Sequence, residues 1–147
     1  MAEILLRSML EERGLGAAVR VDSAGVAPYA RDGALVSLDT RFALRDHGID
    51  LGEDKTSTDL KRNLHLLEEA DLVLAMTGEQ KAIVGRMPQA AGKPIHTLRE
   101  FAGDSAGIDI ADPASRDESF FRQTCAVIKR ALEDALPRLL DLASRGA

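Results

Sequence analysis

The run Leu72-Val73-Leu74-Ala75-Met76, followed without a break by Thr77-Gly78-Glu79-Gln80, constrains this chain more than any other feature. Five apolar residues without alternation fit a strand buried on both faces, the usual state of a strand in a parallel sheet. Thr77 with Gln80 three residues later has the spacing of a capping box, in which a threonine side chain opens a helix. A doubly buried strand that hands over directly to a helix predicts an α/β domain with helices on both sides of its sheet.

The remaining pattern agrees. Residues 2–13 form an amphipathic helix, with Ala2, Leu5, Leu6, Met9 and Leu10 on one stripe and Glu3, Arg7, Glu11 and Glu12 largely opposite. Gly14 suits the position just past its end. Val19-Arg20-Val21-Asp22-Ser23 alternates and carries β-branched residues, which predicts a short strand, and residues 24–28 turn the chain. A second helix is expected over 35–46, closed by His47-Gly48. A third is expected with Thr58 as its cap and Leu60, Leu64 and Leu67 on its face. Residues 94–98 read as another strand and 102–117 as a loop. A long helix over 118–143 has Phe121, Cys125, Ile128, Leu132, Leu136, Leu139 and Leu140 as its stripe, and Pro137 should kink it. The order α-β-α-α-β-α-β-α predicts an α/β fold, three layers deep, around a mainly parallel sheet. With 147 residues and no repeat or linker, one domain spanning 1–147 is expected.

Charge and cysteine usage narrow the function. A formal net charge of −5 gives no electrostatic reason to bind nucleic acid or an anionic membrane. No apolar run approaches the roughly 18–20 residues of a membrane span, and the first residues, with an acid at Glu3, do not read as a signal peptide. The one cysteine, Cys125, has no internal disulfide partner, so a reducing compartment, the cytoplasm, is the natural location. His47 precedes a glycine at a helix end, where an imidazole can meet free carbonyls. His65 and His96 stand alone, and the three histidines lack metal-ligand spacing, so no metal is expected; no other cofactor is expected either. Glu11, Glu68 and Asp71 read as solvated faces.

Six segments carry a family resemblance: MAEILLRSMLEERG, VRVDSAGVAPY, LRDHGID, LEEADLVLAMT, TLREFAG and DIADP. Their order and spacing resemble those of the low-molecular-weight protein tyrosine phosphatases, and the match covers nearly the whole chain. The resemblance implies hydrolysis through a cysteinyl-phosphate. A thiolate at a helix N-terminus attacks phosphorus, backbone N–H groups and an arginine hold the oxygens, and an aspartic acid protonates the leaving atom. In the family the MAE-like segment follows a first strand and the signature loop C-x5-R-[ST]-P. This sequence contains neither, so the resemblance implies a first strand missing and a chain inactive as given. The strands matched by Val19–Ser23 and Leu72–Met76 would then face each other across roughly 10 Å, two inter-strand spacings. A rearranged sheet, marginal stability or self-association is the expected consequence. A recorded start that falls too late is the alternative expectation.

The resemblance also assigns residues. Asp112, in Asp112-Pro113, falls at the general-acid position, in a loop before the last helix as the family requires. Here Ala114, Ser115 and Arg116 follow, where members usually carry an aromatic or small glycines. Tyr29 matches an aromatic that flanks the pocket and stacks on substrate. Ser23 matches a serine that braces the phosphate loop, and Glu53 lies near where some members place a histidine in that brace. Cys125, mid-helix on an apolar stripe, has neither a Gly-rich loop nor an arginine six residues on, so it reads as a structural thiol. The partner implied is a phosphorylated protein, with phosphotyrosine and phosphoarginine both open as substrates. Two alternatives stand beside the phosphatase. One is a non-catalytic remnant that binds a protein through an open sheet edge. The other, ranked lower, is a reductase of arsenate on the same fold, which needs further cysteines after the loop.

Overall fold

A computed structural model describes residues 1–52, 54–104, 107–113 and 116–145. In chain order the elements are α1 (Ala2–Glu12), α2 (Leu38–Arg45), a 3-10 turn (Leu60–Arg62), α3 (His65–Glu69), β1 (Val73–Ala75) and α4 (Gly78–Gly85). A second 3-10 turn (Pro88–Ala90), β2 (Ile95–Thr97), α5 (Leu98–Phe101) and α6 (Glu118–Arg145) follow.

Among the described residues the sheet has two strands. β1 and β2 pair in parallel, with Val73 opposite Ile95, Leu74 opposite His96 and Ala75 opposite Thr97. Its two faces are covered by different cores, which is why β1 shows no alternation. Leu72, Leu74 and Met76 pack against the larger core, built by Leu5, Leu6, Met9 and Leu10 of α1, Ala43 and Leu44 of α2, and Cys125, Ile128, Leu132 and Leu136 of α6. Val73 and Ile95 pack on the opposite side, against Leu60, Leu67, Val84 and Ala90. Helices on both faces of a parallel sheet make the three-layer α/β arrangement expected from the sequence.

Helix ends follow local chemistry. Thr77 accepts a hydrogen bond from Gln80 N at 3.1 Å. Gln80 Oε1 reaches one residue further back than in a capping box, to Met76 N. The complete box is at β2–α5, where Thr97 and Glu100 exchange both bonds. α1 closes as expected at Gly14 (φ +70°), with Leu15 N donating to Leu10 O and Gly14 N to Glu11 O. Gly48 (φ +77°) ends the α2 region in the same way, through Ile49 N to Leu44 O. The backbone around Gly48 therefore performs the capping expected of His47.

Four expectations need correction. Residues 19–23 are not a strand. A β-strand needs a backbone alongside to pair with, and among the described residues none hydrogen-bonds to Val21; the Arg7 guanidinium takes the Val21 carbonyl instead, through Nε at 2.9 Å and through Nη2. Thr58 does not cap the third helix: the Asp59 side chain caps the 3-10 turn after it, accepting from Lys61 N at 3.0 Å, and α3 starts only at His65, behind Leu64 and without a side-chain cap. The helix expected over 35–46 begins only at Leu38, because Ser37 caps it and Leu35 bridges Thr56. Leu98, read as the end of a strand, instead opens α5, which runs to Phe101 under its capping box. The long helix appears where expected and continues through Pro137. Of its apolar stripe, Phe121, Cys125, Ile128, Leu132 and Leu136 are buried, while Leu139 and Leu140 pack at the rim of the core.

Candidate active site

Asp112 sits in the segment between α5 and α6, and that segment is tied to the C-terminal end of β1. Ile110 N donates to Met76 O at 2.8 Å, and the Asp109 carboxylate accepts from Gly78 N, in the first turn of α4, at 2.7 Å. Arg99 clamps the same segment through Asp109 O at 2.9 Å and Asp104 Oδ2 at 2.8 Å. Asp112 itself is exposed. The acid-bearing loop is thus fastened where α/β folds collect their ligands, at the carboxyl ends of parallel strands. Ala114 and Ser115, where the sequence departs from the family pattern, lie outside the described residues.

Tyr29 is 80% exposed on a loop whose backbone is well held. Lys61 Nζ donates to Ala27 O and Pro28 O, at 3.3 and 3.4 Å. Asp32 Oδ1 accepts from Asp59 N at 2.6 Å and from Asn63 Nδ2 at 3.0 Å. A fixed backbone carrying an uncovered aromatic ring presents a stacking face at little ordering cost.

Ser23 lies in a charge cluster that sequence reasoning missed. Its hydroxyl donates to Glu3 Oε1 at 2.6 Å. Lys55 Nζ donates to both Glu3 oxygens, at 3.0 and 2.8 Å, and Arg7 Nη1 lies 3.2 Å from Glu3 Oε2. The Glu3 side chain is only 3% exposed, although the helical pattern placed it on the polar side of α1. A carboxylate is buried this far only when its charge and lone pairs are met, and here three donors meet them. The signal in the sequence was Lys55, 52 residues away, and nothing local announces that pairing. Glu53, the brace position suggested by the resemblance, lies outside the described residues.

Ser23 and Glu3 are therefore in contact, while Tyr29 and Asp112 are held on two separate loops. Two shallow clefts, of about 180 and 300 Å3, lie along α1 and are lined by none of Ser23, Tyr29 and Asp112. His47 lines the smaller one. Cys125 is fully buried in the larger core, and burial pushes its thiol above the ordinary value. Such a thiol is protonated at neutral pH and out of reach of substrate, as the sequence reading expected. No group of three or more metal-ligating side chains gathers among the described residues, and no helix there is long and apolar enough to cross a membrane.

Asp112 thus lies on a loop at the carboxyl end of a parallel strand, in a sheet with helices on both faces, the place where α/β folds collect ligands. The chain belongs to the low molecular weight phosphotyrosine protein phosphatase family, whose model matches residues 1–143. It is 34% identical over 139 residues to a protein-arginine-phosphatase of Bacillus subtilis, covering 95% of this chain and 84% of that protein. It is 32% identical over 143 residues to low molecular weight protein-tyrosine phosphatase A of Mycobacterium tuberculosis, covering 96% and 81%. Among solved structures, the YwlE arginine phosphatase from Geobacillus stearothermophilus superposes with a TM-score of 0.79 at 28% identity, over 99% of this chain and 87% of that one. The solution structure of a low molecular weight protein tyrosine phosphatase from Bacillus subtilis gives 0.78 at 31% identity, over 95% and 87%.

Proposed function

We propose that this chain is the acid-bearing scaffold of a cytoplasmic protein phosphatase that acts on phosphotyrosine or phosphoarginine through a cysteinyl-phosphate. The observation that carries the reading is the Asp112-Pro113 loop, pinned to the end of β1 by the Ile110–Met76 and Asp109–Gly78 bonds. Asp112 serves as general acid. When a thiolate attacks phosphorus and the P–O or P–N bond breaks, its proton goes to the leaving atom; as carboxylate it then accepts a proton from the water that hydrolyses the cysteinyl-phosphate. Tyr29 flanks the substrate and Ser23 braces the phosphate loop.

Within the sequence as given the nucleophile has no candidate. Cys125 is the single cysteine, and it is fully buried. We therefore expect no turnover from these 147 residues. The test is an assay with phosphotyrosine and phosphoarginine peptides, read as released phosphate. Turnover that survives Cys125→Ala would contradict the cysteinyl-phosphate route.

A second reading rests on residues 20–23, whose backbone meets no other backbone among the described residues, the Val21 carbonyl being taken by the Arg7 side chain. A segment whose carbonyl is met by an arginine side chain can take a strand from another chain, which would make the molecule a non-catalytic binding module or a self-associating one. Sedimentation of the purified chain tests self-association: a concentration-independent monomer excludes it.

A further inference from the structure

The cluster at the start of α1 carries more than stability. Glu3 is an acceptor with no donor of its own, and its two oxygens take Ser23 Oγ (2.6 Å), Lys55 Nζ (3.0 and 2.8 Å) and Arg7 Nη1 (3.2 Å). A serine hydroxyl has one proton and two lone pairs. With its proton spent on a charged acceptor at 2.6 Å, Ser23 has only lone pairs left to offer any other group. Lys55 maintains this arrangement. Its side chain is 32% exposed, so it keeps partial hydration while neutralising a carboxylate that is 3% exposed. Arg7 contributes less to that role, because its guanidinium is shared with Val21 O and Asp22.

We propose that Glu3 and Lys55 are positioning residues that fix the polarity of Ser23, making it an acceptor-only brace beside the first turn of α1. The functional part rests on the phosphatase reading above, in which Ser23 holds the phosphate loop. Such a loop aims backbone N–H groups at its anion, and any donor of the loop aimed back at the scaffold needs an acceptor there. A hydroxyl locked by Glu3 is such an acceptor. A hydroxyl free to rotate keeps its lone pairs, but it can turn its proton toward the loop, so their direction is not fixed.

Two measurements decide this. The first uses the chain as it stands and reads urea unfolding. Ser23→Ala lowers the folding equilibrium constant about tenfold, the scale of a hydrogen bond to a charged group. In a Glu3→Met background, where Lys55 and Arg7 turn to water, it changes the constant less than twofold. Equal losses in both backgrounds would overturn the assigned polarity.

The second uses the chain preceded by a strand and a C-x5-R-S-P loop. There Glu3→Gln, which keeps the shape but can donate to Ser23 Oγ, lowers kcat by about 10–100-fold and leaves KM within twofold. Adding Ser23→Ala costs little more. Lys55→Arg retains more activity than Lys55→Met, as a charge partner should and a packing residue need not. An unchanged kcat in Glu3→Gln overturns the positioning role. If the parent extended chain is itself inactive, the phosphatase reading fails, and the unfolding cycle still decides the polarity of Ser23.

Discussion

The helical core and the stretch from Val19 to Leu35 are built on different principles. Leu5, Leu10, Leu44, Leu98 and Cys125 are at most 2% exposed, and one apolar stripe of α6 organises most of what surrounds them. Residues 19–35 lay only partly buried side chains, Val19, Val21, Ala24 and Val26, on the cores and hold their course largely through polar side chains and single bridges. Arg7 takes the Val21 carbonyl, Asp32 takes Asp59 N, Ser57 Oγ donates to Arg31 O, and the bridges are Gly25–Asp59 and Leu35–Thr56. Tyr29 and Leu35 stand 80% and 75% exposed there. The core is specified by periodicity, which each helix carries within itself. The second region depends on partners, and each partner is a separate long-range event. Two of the three residues assigned to chemistry, Ser23 and Tyr29, belong to this second region, as functional residues often do when loops are positioned by a rigid scaffold.

The sharpest way to break the contrast is native-state hydrogen exchange. Amides of residues 125–136 in α6 should open only with global unfolding, while Val21 to Ser23 exchange through local opening, a difference of several orders of magnitude. Comparable protection in both would mean that 19–23 is paired in solution. Next in size, Leu44→Ala should destabilise by about 2–5 kcal/mol in urea unfolding, the range for an aliphatic core truncation. Val21→Ala, at a half-buried site, should cost well under half as much. Thr97→Ala, which removes a buried capping box, should cost about 1–2 kcal/mol, and a loss below a few tenths would show that α5 is held by packing alone.

The smallest effects are those of pH. Burial raises the Cys125 thiol, so the folded chain holds that proton longer than the unfolded one. The stabilisation is complete below about pH 8.5 and is lost as pH rises from there through the folded value. Glu100 is held below the ordinary carboxylate value, chiefly by the Lys81 hydrogen bond. Its contribution is present above about pH 4.3 and is lost as pH falls through the folded value. Cys125→Ala should flatten the alkaline limb and Lys81→Met the acid limb of stability against pH.

What was legible follows from the same contrast. The α6 stripe, the β1 run and the closures at Gly14 and Gly48 were readable because spacing and residue type suffice for them. Val19–Ser23 had the alternation of a strand, but alternation states only which side chains face inward. Pairing needs a neighbouring backbone, and the sequence of the segment itself cannot supply one. Glu3 was placed on the polar side of α1 because a helical pattern knows nothing of Lys55. The Thr97–Glu100 spacing was present, yet a four-residue helix shows no period to draw attention to it. Asp112 and Tyr29 came from the family resemblance, since an Asp-Pro pair or a lone loop tyrosine carries little information alone.

Asp112 is proposed as the general acid of a phosphatase scaffold formed by these residues. The most direct measurement is hydrolysis of phosphotyrosine and phosphoarginine peptides by the chain preceded by a strand and a C-x5-R-S-P loop, with and without Asp112→Asn. The predicted result is turnover that depends on the loop cysteine and falls about 10²–10⁴-fold in Asp112→Asn. Turnover indifferent to Asp112, or a folded extended chain with none, would contradict it.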